Sequence, residues 1–235
     1  IVAEAETVRA LGTRHSFSLV ADSDGVLLST ENLNRIVEIG DETVTVEAGI
    51  RYGDLSSALE SHGLALPNLA SLPHISVGGA IATGTHGSGA RNQSLAAGIA
   101  SLELVGADGS IRRLRRGDAD LDGAVVSLGA LGLVTHASLD VVPAFELQQC
   151  VFEQLPWSTV EADLDAILDG AYSVSLFTMW EEPAIGQVWV KTTEPLPPKA
   201  KWTPRRSDRR WRSLPRWPPR SVPRMRLRSR WAMGT

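Results

Sequence analysis

One histidine and one glycine-rich block hold the residue types that could do chemistry. His15 lies in "LGTRHSF" (Leu11 to Phe17), between an apolar run (Ile1, Val2, Val8, Leu11) and an aromatic side chain. An imidazole at such a place is either a turn residue or a nucleophile to which something is attached. The block "LPNLASLPHISVGGAIATGTHGSG" (66–89) contains His74, His86, Ser71, Ser76, Thr83 and Thr85 among closely spaced glycines. Glycines let backbone N–H groups approach a ligand, and small hydroxyl side chains donate to phosphate oxygens. A helix start nearby would add positive potential. By composition alone the block suits a bound pyrophosphate and a tightly packed Gly/Ala-rich helix pair equally well.

Several common sites are poorly supported. "GSGARN" does not match G-x-G-x-x-G and follows no clean strand. The sequence contains no G-x-x-x-x-G-K-[ST], no G-x-S-x-G and no H-E-x-x-H. His74 and His86 are too far apart to be metal ligands on one helical face. The single cysteine, Cys150, rules out an intrachain disulfide and cysteine-built metal clusters.

The elements that must position these residues read as mixed α and β. "VLLST" (26–30), "RIVEI" (35–39) and "TVTVEAG" (43–49) predict short strands, the last with Val44 and Val46 on one face. "RYGDLSSALESHG" switches to a helical period through Leu55, Ala58 and Leu59, with Gly63 as the residue that ends it. "IASLELVGADGSIRRL" (99–114) predicts a hairpin turning at Asp-Gly. Residues 121–143 predict a short helix, a Gly-rich turn and a strand closed by Pro143. A second set follows: strand ("FELQQCVFEQL"), helix ("TVEADLDAILDG") and two strands ("AYSVSLFT", "GQVWVKTT").

The chain has 235 residues, 43% of them hydrophobic, enough for one large core or two small ones. No apolar run approaches the length of a membrane span, and the opening "IVAEAETV" lacks a basic signal region. The expectation is a cytoplasmic protein, and the missing initial Met suggests a piece or a processed start. The net charge of −4 hides a split. Residues 1–200 carry 11 basic and 26 acidic side chains, whereas residues 201–235 carry 12 basic and one acidic. From residue 194 onward the sequence is crowded with proline, arginine and tryptophan, and no period survives. That tail reads as a basic arm for nucleic acid or membrane, or as the product of a frame change in a GC-rich gene. The abrupt switch after Thr193 favours the second reading, and either way the tail is expected to be disordered or poorly packed.

"GTRHSF", then "GLALPNLASLPHISVGGAIATGTHGSG", then "SLGALGLVTHASLDVVPAFEL" resemble, in unbroken order, the FAD-linked sugar and polyol oxidases. These are the vanillyl-alcohol-oxidase-type flavoproteins that include alditol (xylitol) oxidases and aldonolactone oxidases such as the D-arabinono-1,4-lactone type. The resemblance spans residues 7 to 193. It implies an α+β chain: a PCMH-type FAD-binding domain of two subdomains over 1–143, N-terminally incomplete, then the start of a second α+β substrate (cap) domain over 144–193. Residues 194–235 lie beyond it. It implies FAD as cofactor, held covalently through His15, with Leu11, Gly12, Thr13, Arg14 and Ser16 in the loop around it. The family usually has a smaller residue where this chain has Arg14. Ser76, Gly79 and "TGTH" (Thr83, Gly84, Thr85, His86) match the pyrophosphate and ribityl segment. Val134 matches an adenine-side contact and Ser71 a position near the substrate.

The implied activity is that of an oxidase. Hydride passes from a polyol or sugar lactone to flavin, and dioxygen is reduced to hydrogen peroxide. No metal and no nucleic acid take part. The family's catalytic side chains lie in the C-terminal domain, and none is identified in this chain. The alternative is an FAD-binding piece without turnover; a basic-tailed binding protein is the weakest reading.

Overall fold

A computed structural model describes residues 1–181 and 183–193, together with the backbone of Arg226–Leu227. The rest of the 194–235 tail, and with it the expectation about its order, lies outside the described residues. The described chain divides into two compact units. One comprises residues 1–87 and 93–144; the other comprises 88–92 and 145 onward.

The first unit is built on a five-stranded sheet. Its strands, with their neighbours, are β1 (Val8–Leu11), β2 (Val26–Ser29), β3 (Ile36–Ile39), β4 (Thr43–Glu47), helix α1 (Tyr52–Ser61), β5 (Leu64–Ala65), helix α2 (Val77–Ala82), β6 (Ile99–Val105), β7 (Ile111–Arg115), helix α3 (Leu121–Ala124), β8 (Leu133–Asp140) and β9 (Val142–Pro143). The sheet order is β3-β4-β8-β6-β7, antiparallel throughout. β1 and β2 form a separate parallel pair, and β5 pairs with β9. The predicted strand therefore ends at Asp140. Pro143 falls in a two-residue ribbon, where its missing N–H removes no bond of the main sheet.

The two-residue period of β4 sends Val44 and Val46 into the core, both wholly buried. Leu55 and Leu59 of α1, one turn apart, meet them there with Leu102, Leu104 and Leu139. Each such side chain contributes about 1.5–3 kcal/mol by leaving water. α1 stops where Gly63 takes a φ of +71°, as its position after His62 predicts. Its first N–H groups are capped from elsewhere in the sequence. Tyr52 N–H donates to Ile75 O at 3.0 Å and Gly53 N–H to Pro73 O at 2.7 Å. That capping lays the 73–75 segment beside the helix start and fixes the approach to α2.

Glu47, which strand alternation assigns to the outer face, is 2% exposed. Its carboxylate accepts the Arg35 backbone N–H at 2.8 Å and the Arg35 guanidinium at 2.7 and 3.1 Å. The side-chain bonds from Arg35 hold the Glu47 carboxyl below the usual carboxylate range. A folded-state pKa below the unfolded one stabilises the fold above the unfolded value, and that gain is lost as pH falls. Glu47→Gln is therefore expected to cost about 1–3 kcal/mol at pH 7. The gap in denaturant midpoint between variant and wild type should narrow as pH falls below about 4. A pH-independent gap would show that the ion pair is not its source.

The second unit contains β10 (Leu147–Pro156), α4 (Trp157–Leu168), β11 (Ser173–Phe177) and β12 (Ala184–Thr192). Its strands are antiparallel neighbours in the order β11-β12-β10, with a two-residue strand β13 (Arg226–Leu227) beside β10. Phe152, Leu155, Ile167 and Val188 form its own core. Ser88–Asn92 joins this unit: Asn92 Nδ2 donates to Tyr172 O at 3.3 Å, and the Ser88 and Ser173 hydroxyls are hydrogen-bonded.

Candidate functional site

The site begins where β1 ends. Leu11 O accepts from the Thr30 N–H at 3.0 Å, which pins the strand end and projects the Gly12–Phe17 loop. Thr13 is the hinge of that loop. Its hydroxyl oxygen accepts the Ser76 N–H at 3.2 Å and lies 3.1 Å from Nδ1 of His15. The His15 ring also faces His74, with centroids 4.5 Å apart and planes tilted by 56°. Arg14 between them adopts a φ of +62°, a left-handed conformation unusual for a non-glycine residue. His15, Arg14 and Ser16 are exposed.

α2 forms the opposite wall. It is a six-residue helix whose glycines permit close contact on two sides. At Gly78 a Cβ would come within 2.9 Å of Ala48 Cβ, on the core side. At Gly12 a Cβ would come within 2.7 Å of the Ser76 hydroxyl, and at Gly79 within 3.0 Å. A side chain at either position would have to displace the Ser76 hydroxyl. The helix start itself is largely occupied by protein partners. Beside the Ser76 N–H on Thr13, the Val77 N–H donates to Ile50 O and the Gly78 N–H to Ala48 O, at 2.9 and 2.7 Å. The anion attraction expected of a helix start thus falls to the residues around it.

After α2, the Thr83 hydroxyl donates to Gly79 O at 2.9 Å, and the Thr83 and Thr85 hydroxyls are 3.2 Å apart. Gly84 between them has a φ of +66°. The loop before β8 completes the wall. Leu128 N–H donates to Ala82 O at 3.0 Å, Arg9 Nη1 donates to Leu128 O at 3.5 Å, and Leu128, Gly129 and Gly132 all have positive φ.

Together these segments enclose one cavity of about 450 Å³. Of the residues singled out from the sequence, Leu11, Gly12, Thr13, Arg14, His15 and Ser16 line it on one side. Gly79, Thr83, Thr85 and Val134 line it on the others. Ser76, Gly84, His86 and Ser71 are not in the lining. Ser76 is 2% exposed, its hydroxyl buried behind Gly12 and Gly79 without a partner. His86 Nδ1 lies 2.8 Å from Gly87 O. Ser71 is exposed on the segment leading to α2. Arg9, Asp22, Thr30, Ser127 and Leu128 also line the cavity, and nothing in their types announced it. Gly129 and Gly132 belong to the Gly-rich turn legible before β8.

The lining suits a dinucleotide with a charged centre. It offers bare backbone at Gly12 and Gly79, hydroxyl groups at Thr13, Thr83 and Thr85, and two cations, Arg9 and Arg14, against one acid, Asp22. The volume lies within the range of cofactor pockets. The unpartnered Ser76 hydroxyl beneath the two glycines is a further polar group at that wall.

Residues 1–115 match the FAD binding domain family. The chain is 50% identical over 189 residues to an alditol oxidase from a Streptomyces species, covering 78% of this chain and 45% of that protein. It is 36% identical over 200 residues to an L-gulono-1,4-lactone dehydrogenase from Mycobacterium tuberculosis, covering 84% and 46%. It is 38% identical over 162 residues to an L-gulonolactone oxidase from Mus musculus, covering 67% and 36%. The chain thus spans less than half the length of each. Among solved structures, a mutant of cholesterol oxidase from Brevibacterium sterolicum superposes with a TM-score of 0.70 at 20% identity, covering 83% of this chain and 42% of that one. A solvent-stable cholesterol oxidase gives 0.68 at 23% identity, covering 81% and 41%. That likeness concerns the fold, an α+β architecture. Residues 1–115 thus match an FAD binding domain, and the chain is similar to the corresponding part of an alditol oxidase and of lactone-oxidising relatives.

Proposed function

We propose that this chain is the flavin-binding part of an FAD-dependent oxidase acting on a CH–OH group of a polyol or aldonolactone. FAD is joined covalently to His15, and dioxygen is reduced to hydrogen peroxide. One observation carries this reading: the Leu11–Ser16 loop, Gly79, Thr83, Thr85 and Val134 converge on a single cavity, in a chain half identical to an alditol oxidase over 189 residues.

Bound FAD supplies the hydride-accepting chemistry, which no protein side chain provides. The chain's own residues bind and orient. Thr13 holds the His15 ring through Nδ1. Gly12 and Gly79 keep side chains away from the pyrophosphate, and Thr85 turns its hydroxyl to it while Thr83 ties the segment to Gly79 O. Arg9 and Arg14 offset its charge, and Val134 packs at the adenine end. Ser76 supports this wall from behind, Gly84 sets the Thr83–Thr85 turn, and His86 closes the segment. Ser71 faces the substrate side, and residues 145–193 open the substrate domain.

The test is to load the purified chain with FAD and measure hydrogen peroxide with xylitol, sorbitol and an aldonolactone. Flavin uptake with peroxide release that depends on one of these substrates is the expected result. Flavin uptake without peroxide across the panel would instead assign a binding unit without turnover. Failure to take up flavin would sink both.

A further inference from the structure

We propose that His74 is a positioning and proton-accepting partner of His15 in the attachment of FAD; the inference rests on the covalent reading of His15. Two exposed imidazoles from distant parts of the sequence are brought ring against ring, with centroids 4.5 Å apart. The rings touch at a tilt of 56° without a hydrogen bond between them, and at that separation one water can bridge a nitrogen of each. Both sides of the encounter are built. His15 is held from below by Thr13, whose hydroxyl is itself held by the Ser76 N–H. His74 is held because its neighbours Pro73 and Ile75 cap the start of α1. Thr13 occupies His15 Nδ1 and is not a base, whereas the His74 imidazole lies against the His15 ring.

Attachment needs such a base. A carbon–nitrogen bond forms between a His15 ring nitrogen and the 8α-methyl carbon of the flavin, while an imidazole N–H and a methyl C–H break. The ring system takes up two electrons and two protons, and dioxygen then reoxidises it to give hydrogen peroxide. His74 accepts the proton leaving the His15 nitrogen and, being exposed, passes it to solvent. A positioned base of this kind contributes on the order of 10²-fold to the rate.

The measurement uses the full 235-residue chain, prepared without flavin and then mixed with FAD. Acid-precipitable flavin is followed with time, and loosely held FAD is measured separately by release into acid. His74→Leu should take up FAD to the wild-type extent but form acid-stable flavin on the order of 10²-fold more slowly. Added imidazole should restore much of the rate in His74→Ala. Attachment at the wild-type rate in His74→Leu would overturn the inference while leaving the covalent reading intact. Loss of FAD uptake in both His74→Leu and His74→Gln would overturn it too, because His74 would then hold the cofactor. Acid-stable flavin surviving in His15→Ala would remove the reading beneath it.

Discussion

Acid precipitation of the FAD-loaded chain is expected to leave a yellow pellet in wild type and a colourless one in His15→Ala, with the flavin recovered from the supernatant. The effect should be all or none, because a covalent bond survives denaturation and the contacts of a folded cavity do not. The imidazole is also the side chain of the Leu11–Ser16 loop that carries a nucleophilic ring nitrogen. The structure gives that imidazole the attributes of an attachment point. It lies on the cavity wall, it is exposed, and its ring is held by Thr13. The surrounding glycines and threonines are unchanged by the substitution, so FAD uptake before acid should persist in the variant. A variant that binds no FAD at all would point to His15 as a structural residue of the loop. A variant that keeps its yellow pellet would place the linkage elsewhere.

How much of this was legible depended on whether a residue's type encodes its conformation. Val44 and Val46 alternate with polar residues, and both are wholly buried. Gly63 follows a helical stripe, and its φ is positive. The Asp-Gly of residues 108–109 turns β6 into β7, with the Gly109 φ at +80°. The cavity was harder to read because part of its wall depends on conformations that residue types disguise. Arg14 and Leu128 both take positive φ and both line it, yet neither side chain favours that region. The burial of Glu47 was hidden for another reason. Strand alternation reports which way a side chain leaves the backbone, and says nothing of an arginine twelve positions earlier folding over it. The same holds for Ser88–Asn92. Its place in the second unit rests on contacts with Tyr172 and Ser173, about eighty residues away, which no local pattern encodes. His74 was visible only as one more histidine in a glycine-rich block, and its closeness to His15 comes from the capping of α1 by Pro73 and Ile75.

Gly132→Ala is expected to be among the most damaging single methyl additions in the first unit. Gly132 has a φ of +138°, where an alanine is strained, and a Cβ built there would lie 2.3 Å from the Val105 carbonyl oxygen and 3.0 Å from its carbon. The obstacle is backbone at the end of β6, directly beside the start of β8, so no side-chain rotation relieves it. Backbone strain of this kind costs about 1–3 kcal/mol, and overpacking against a fixed wall about as much again. The pair β6–β8 sits in the middle of the five-stranded sheet, so a shift of Gly132 moves Leu133 and Val134 with it. Val134 lines the cavity, which links the stability defect to cofactor binding. The expected outcome is therefore twofold: a melting midpoint lower by roughly 10 °C, and weaker FAD uptake measured at a temperature where the variant is still folded. Gly123→Ala is the control, since a Cβ there meets nothing within 4 Å. A Gly132→Ala chain as stable as that control would mean that the β6–β8 contact yields readily, and that the wall it supports is softer than its geometry implies.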